Sequence, residues 1–565
     1  MEKASQIPLM ADIYRGSKNT IIWLGPEGPN TGGAYQFLNS IAQKIEDTYG
    51  IQDFITAVEG RSAEHMQRLF FPRKVLRTVT PPPDPTVFGW LATQIPTDHG
   101  RWKPVFELLG RAYWDRVWVI QESVLGHEPL VQCGGYIISI RRLFSVVALA
   151  GILPVINSLF DSSDGYFVVS SIRNLRQRGI ELDIFSLLRL TATSKATDAR
   201  DMLYGVYGLT SNPATGGIGV PVSYQSSLDN CPQCQDDASH SRTHAFHLLH
   251  QAAIAGLKNS QDFSQLSLTS ISLYPDVRLP SWVPDWTRHS KTFPFPHQPA
   301  YRHAQDFAFR HGYTHRFRPA FRGEADSELR VVAAKIGSIR TVSALCGKGT
   351  KTIKLDRNYG RGLSRGAVEG SLVYVKWIKM ASSAKMNQAS GLVADTYGDG
   401  SPVTALRELL VALSAESNDA DMEEARNSFA HWLFWYSIHT ALFRLGFYNI
   451  HWKLHNWVFL IIQMFLTLLR KLPPHPPPSY QDTHNRRLCL SHDGHLILAP
   501  GRTKPGDIIV LLQGGDRPFV LREVRGAPSR VMKLVGEACM PALYMDRTED
   551  VIKGLAETPT EIWIQ

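Results

Sequence analysis

The stretch QIPLMADIYRGSKNTIIWLGPEGPNTGGAYQFLNSIAQKI (Gln6–Ile45) decides how the chain is read. Within Gln6–Gly16, residues Ile7, Met10, Ile13 and Tyr14 fall at helical spacing. Thr20–Leu24 follows as a short β-branched apolar run closed by Gly25-Pro26, the pattern of a buried strand. Ala34, Phe37, Leu38, Ile41 and Ile45 then recur at i, i+3, i+4, i+7 and i+11, which predicts an amphipathic helix. Helix, strand and helix in close succession predict an α/β layer with a partly parallel sheet.

Outward from this stretch, PPPDP (Pro81–Pro85) marks a loop or insertion. Pro104 is expected to open a helix that keeps Val105, Leu108 and Leu109 on one side. The block RAYWDRVWVIQESVLG (Arg111–Gly126) comes next, and EPLVQCGGYIISI (Glu128–Ile140) reads as a β-hairpin around Gly134-Gly135. Ile184–Leu190, Thr197–Leu209 and Ala245–Leu257 read as helices, the second with Asp198 as its expected cap. LPPHPPPS (Leu472–Ser479) is a linker, since clustered prolines favour extended backbone. Beyond it DIIVLL (Asp507–Leu512), PFVLREV (Pro518–Val524) and Val531–Val535 read as strands. The expected organisation is an α/β core over 1–125 and a mainly helical extension over 126–300. A variable α+β region over 301–471, the linker at 472–480 and a small β-rich module over 481–565 complete it.

Composition narrows the class. The 565 residues are 44% hydrophobic and 20% charged, which excludes an intrinsically disordered chain. A net charge of +9 over this length is mild and is no polyanion-binding signature. Six cysteines do not make a disulfide framework, so a reducing, cytoplasmic setting is expected. The apolar segments within 431–469 read as buried amphipathic helices, with a membrane-associated hairpin as the alternative. Their longest run, Trp457–Leu469, is well short of the roughly 20 residues that span a bilayer.

Four blocks, in order, resemble the fungal heterokaryon-incompatibility (HET) family. Gln6–Gly25 is similar to its helix-then-strand ending in Trp23-Leu24-Gly25. RAYWDRVWVIQE (Arg111–Glu122) resembles the Arg-Pro-Trp-Phe-x-Arg-x-Trp-x-x-Gln-Glu signature through Arg111, Trp114, Arg116, Trp118, Gln121 and Glu122. TDARDMLYGVYGL resembles the Asp-Pro-Arg-Asp helix through Asp198, Arg200 and Asp201. LPSWVPDW (Leu279–Trp286) supplies Trp282, Asp285 and Trp286. The resemblance implies a cytosolic fungal protein of non-self recognition that triggers cell death through self-assembly or contact with a protein partner. It also implies a core like the TIR fold, a flavodoxin-like α/β sandwich. Family members usually begin with a Leu-Ser-Tyr-x-Trp-Gly strand and carry a Cys-Ile-Asn-Gln segment. Neither occurs here, so an incomplete, N-terminally truncated core and an inactive member are further expectations.

TIR-like enzymes that cleave NAD use one glutamate, and Glu122 is the position the resemblance offers for it. A carboxylate stabilises developing positive charge only when ionised and fixed in a dry pocket. The alternative places Glu122 and Arg116 in structural pairs, with the tryptophans as core. Neither GxGxxG nor GxxxxGK[ST] occurs, so no cofactor is expected and NAD enters only as a substrate of the enzymatic alternative. Cys231, Cys234, His244 and His250 have the residue types of a zinc site at imperfect spacing. A polar loop entering a helix explains them as well, and no metal is expected. Tyr301–Arg322 mixes arginines and aromatics, but Arg covering aromatic faces accounts for it without nucleic acid. Gly362–Gly366 matches G-x-S-x-G without the buried strand that motif requires.

Overall fold

A computed structural model describes residues 2–51, 54–55, 96, 99–152, 165–177, 179–210, 212, 217–224, 237–260, 262–270, 275–276, 278–286, 295, 308–309, 319–343, 345, 485–515, 517–524, 526, 530–543 and 553–565. The chain divides into two compact units, Met1–Ser260 with Val283–Lys291, and Gln261–Trp282 with Thr292–Gln565. The apolar segments at 431–469, the linker and Gly362–Gly366 lie outside the described residues, as does most of Tyr301–Arg322. No helix among the described residues is long and apolar enough to cross a membrane.

The first unit opens with the expected helix, strand and helix, but Ile13 of the first helix and Ile21 and Trp23 of the strand are exposed. Helix α1 (Glu2–Gly16) leads into β1 (Ile21–Trp23) and then α2 (Thr31–Tyr49), which buries Ala34, Tyr35, Leu38, Ile41, Ala42 and Ile45. Helix α3 (His99–Leu109) begins five residues before Pro104 rather than at it. Helix α4 (Trp118–Leu125) precedes the hairpin β2 (Leu130–Cys133) and β3 (Tyr136–Ser139), whose turn sets Gly134 at φ 56°. Five more helices follow: α5 (Ile140–Ile152), α6 (Gly165–Gln177), α7 (Ile184–Leu190), α8 (Asp201–Tyr207) and α9 (Asp237–Asn259).

Strand β1 pairs in parallel with β2, which pairs antiparallel with β3, so the sheet is mixed and reaches past residue 125. Register aligns Ile22, Val131 and Ile138 in one row across the three strands, and all three are buried. Leu24, Tyr35, Leu38, Leu108, Leu109, Trp114 and Leu143 close around that row. The next row, Trp23, Gln132 and Ile137, faces the other way, with Trp23 50% and Ile137 51% exposed. This alternation is what period-2 side-chain geometry requires of a sheet packed on one face.

In the second unit, β4 (Ala320–Arg322) and the long β5 (Glu328–Val342) precede six strands of the C-terminal region. These are β6 (Arg486–Ser491), β7 (Leu496–Pro500), β8 (Ile508–Leu512), β9 (Pro518–Glu523), β10 (Val531–Glu537) and β11 (Thr560–Ile564). The order β5-β8-β9-β10-β11 returns to β5, because β11 pairs with both β10 and β5. The five strands therefore form a closed ring. The 481–565 segment is not self-contained, since its ring takes β5 from 328–342. Register shifts at Gly337 and Gly536 bend β5 and β10, as bulges do where a sheet curves. At Gly536, with φ 143°, a Cβ would stand 2.4 Å from Ser270 Oγ. Cys489 and Cys539 are buried in this unit, as is Cys133 in the first, and none of the three is in a disulfide.

Closure has a consequence for fragments. Residues 472–565 expressed alone lack β5 and leave the edges of β8 and β11 unpaired, so they are expected to show no cooperative thermal unfolding. Adding a 319–345 segment in trans should restore a melt, and a sharp melt of 472–565 alone would contradict the ring.

Candidate functional site

The block Arg111–Leu125 lies where three segments of the first unit meet. Arg111 donates through Nη1 to the carbonyls of Leu24, at 2.8 Å, and Pro26, at 2.9 Å, tying the block to the end of β1. Gly25 between them has φ 101°, and a Cβ there would stand 3.1 Å from that nitrogen. The left-handed conformation and the close guanidinium together call for glycine. Trp114 is buried and donates to Leu108 O at 3.2 Å. The main chain at Asp115–Val117 bridges to Lys195, with Lys195 N donating to Asp115 O and Val117 N to Lys195 O. The Arg116 side chain is exposed.

One face of α4 carries Trp118, Gln121 and Glu122. Gln121 is fully buried and donates to Gly205 O in α8 at 2.8 Å. Close approach is possible because a Cβ at Gly208 would meet Gln121 Oε1 at 2.3 Å and the Ala11 side chain at 2.9 Å. Trp118 Nε1 donates to Asp201 Oδ2 at 3.0 Å, and Tyr224 OH donates to Asp201 Oδ1. Asp198 does not cap α8 as its position suggested. It accepts from Arg200 N at 3.0 Å and pairs with the Arg200 guanidinium at 2.8 Å, one step before the helix begins. The Arg200 side chain also lies over the Tyr224 ring, 4.8 Å from its centre.

Glu122 is half-buried and does not pair with Arg116 through any contact among the described residues. Tyr113 OH donates to its Oε1 at 2.5 Å and Tyr14 OH to its Oε2 at 3.4 Å. Burial first, then the Glu122 charge, pushes the Tyr14 phenol up to about 12 and Tyr113 higher still. Both phenols thus stay protonated and donate at neutral pH. The arrangement can hold an ionised carboxylate in place with its oxygens committed to phenols of α1 and the Arg111–Val117 loop.

Three supports carry no sequence signal. Arg173, buried on α6, donates to the carbonyls of Ser123, at 3.0 Å, and Gly126, at 3.2 Å, and so caps the end of α4. Desolvation lowers its pKa to about 10, which leaves it charged. Arg15 and Arg176 do the same for the end of α8, at Gly208 O (2.9 Å) and Leu209 O (2.7 Å). An arginine within an amphipathic helix pattern reads as an exposed side chain. Tyr14 and Tyr113 likewise read as packing, and only the fold brings them to one carboxylate.

The other expected positions fall elsewhere. Trp23 is exposed on the outer face of the sheet. Trp282 is fully buried in the second unit, where Nε1 donates to Ser327 O at 2.9 Å and the ring lies 5.6 Å from Phe321. Asp285 and Trp286 are buried in the segment that groups with the first unit. Of the zinc alternative, Cys231 and Cys234 lie outside the described residues, while His244 and His250 fall within α9. Among the described residues no three His, Cys, Asp or Glu side chains gather as metal ligands.

A family model described as heterokaryon incompatibility protein (HET) matches residues 1–122, and one described as the Het-6 beta-barrel domain matches residues 479–548. Both regions of the chain are thus similar to heterokaryon-incompatibility proteins. A curated relative, "Heterokaryon incompatibility protein 6, OR allele" of Neurospora crassa, is 20% identical across 95% of this chain and 78% of its own length. No solved structure matches the chain. The HET match ends at Glu122, at the face just described, and the barrel match omits β5 and β11, which complete the ring.

Two predictions follow from this geometry. Gly208→Ala drives a methyl into Gln121 and Ala11 and should lower stability by about 1–3 kcal/mol in a denaturant titration, whereas Gly33→Ala, which meets nothing within 4 Å, should leave it near wild type. Burial raises the phenols of Tyr14, Tyr35, Tyr113, Tyr207 and Tyr224 above their ordinary value of 10.0. Between that value and the folded one, the unfolded chain loses protons that the folded chain keeps. Stability should therefore hold below pH 10 and fall steadily above it, with a shallower fall in a Tyr14→Phe, Tyr113→Phe double variant.

Proposed function

We propose that this chain is a HET-family protein that acts in fungal non-self recognition, in the cytoplasm, through assembly or contact with a protein partner that leads to cell death. The observation that carries the reading is the end-to-end likeness to a heterokaryon-incompatibility protein, across both the HET region and the barrel. The use of the signature residues supports a non-enzymatic action. Arg111, Trp114, Trp118 and Gln121 spend their hydrogen bonds on tying this block to β1, α3 and α8. The parallel β1–β2 pairing, with α2 following β1, supports reading the core as TIR-like. On this reading the chain needs no cofactor, metal or nucleic acid.

A second reading is favoured by Glu122 itself, a half-buried carboxylate steadied by two phenols. It makes the chain a TIR-like NAD glycohydrolase in which Glu122 stabilises positive charge developing on the ribose. Inducible expression in a fungal host separates the readings. Under the leading one, wild type arrests growth, Glu122→Gln arrests it equally, and purified protein releases no nicotinamide from NAD. Nicotinamide release that Glu122→Gln abolishes would replace the first reading with the second. No arrest by the wild-type chain would reject both and leave an inactive member.

A further inference from the structure

Residues Gly217–Tyr224 cross over α8, and the two halves of this strap are held differently. Ile218 and Val220 are buried and anchor the first half, with Tyr207 OH donating to Val220 O at 3.0 Å. The second half, Pro221–Tyr224, is pinned through polar side chains. Tyr204 OH donates to Ser223 O at 3.0 Å and accepts from Ser223 N at 3.1 Å. Arg200 Nη1 donates to Tyr224 O at 3.3 Å while its guanidinium lies over the Tyr224 ring, and Tyr224 OH donates to Asp201 Oδ1. Among the described residues, no main-chain to main-chain hydrogen bond ties 217–223 to the rest of the unit. Pro221 and Ser223 are exposed, while Val222 and Tyr224 are half-buried and the Tyr224 ring meets the Tyr204 ring edge-on at 5.3 Å.

What lies beneath it is the contact between Trp118 and Asp201. Trp118 and Glu122 are one helical turn apart on α4 and share a face. We propose that Pro221–Tyr224 is a tyrosine-latched strap that opens about its buried anchor at Ile218–Val220. Opening uncovers the Asp201 carboxylate beside Trp118 and so extends the polar face of α4 that begins at Glu122. In the closed state Tyr224 holds one Asp201 oxygen and Trp118 the other. In the open state the Tyr224 oxygen is released while the Trp118 bond keeps Asp201 in place. The device stands on the geometry of α8 and does not depend on either reading of function.

The test uses the full chain and two variants, Tyr224→Phe and Tyr204→Phe, each of which removes a latch hydroxyl and keeps the ring. Amide hydrogen exchange over 222–224 should quicken by about tenfold or more in both variants, as for a locally opening segment. Exchange in α4 and in β1–β3 should stay as in wild type. Carboxyl labelling with a carbodiimide and an amine should then modify Asp201 in Tyr224→Phe but not in wild type, with Glu122 labelling unchanged. Unaltered exchange over 222–224, or Asp201 equally protected in variant and wild type, would overturn the latch. Quickened exchange spread over the whole first unit would also overturn it, since the tyrosines would then be packing the unit rather than holding a strap.

Discussion

An eight-residue helix does not hold itself together in water, and α4 is such a helix. Its orphan ends and its polar face are satisfied from outside: the Arg173 guanidinium takes its last carbonyls, Gln121 reaches into α8, and Trp118 and Glu122 meet Asp201 and two phenols. The rest of the first unit is arranged to make those contacts available. Arg111 fixes where the preceding loop leaves β1, and the Lys195 bridge fixes where it turns into the helix. The signature block is thus mostly a set of instructions for placing a helix too short to place itself. Its hydrogen bonds to main-chain carbonyls tolerate little change of side-chain length, whatever chemistry the surface later serves.

The barrel solves a different problem. Glu537 is wholly buried between Arg486, at 2.6 Å, and Arg517, at 2.7 Å, and also accepts from Phe295 N at 2.8 Å. Arg517 in turn donates to Phe295 O, and the Arg486 guanidinium stacks over the Phe295 ring, 3.5 Å from its centre. Such a group adds little net stability over well-packed apolar residues, yet removing one partner strands a charge in a dry interior. Strand pairing alone leaves a sheet free to slip by a residue. A carboxylate on β10 that must meet arginines on β6 and beside β9 does not allow that slip. The bulge at Gly536, one residue before Glu537, turns the strand so that the carboxylate points inward.

Much of the local structure was legible because one face of each element is buried. The helical spacing in α2 reports that burial directly, whereas the continuous apolar run read as a buried strand leaves Ile21 and Trp23 exposed. The hairpin at Gly134 was legible because its turn needs a left-handed residue. What the sequence could not show is which distant partners meet. Nothing in TIIWL names Leu130–Cys133 as its parallel neighbour, and nothing in Glu328–Val342 says that it joins β8, β11 and β6 at successive positions. Start sites failed where a stronger rule misled. Pro104 is tolerated inside α3, and the Asp198 side chain turns to Arg200 instead of capping α8. At the candidate site the glutamate was legible only through likeness to a family, while its tyrosines were not legible at all.

Tyr113 sharpens the question of what Glu122 does. The family block usually has a tryptophan at this place, which offers an indole N–H where this chain offers a hydroxyl. A phenol at 2.5 Å from a carboxylate oxygen makes a short, strong hydrogen bond. It also occupies one of the carboxylate's several acceptor positions. A carboxylate that serves as an electrostatic partner for a cationic transition state can keep such donors, because it acts through its charge and need not accept a proton. A general base would have to use one of the acceptor positions that the phenols leave. Of the chemistries open to Glu122, charge stabilisation and structural anchoring are the ones that make direct use of the two phenols.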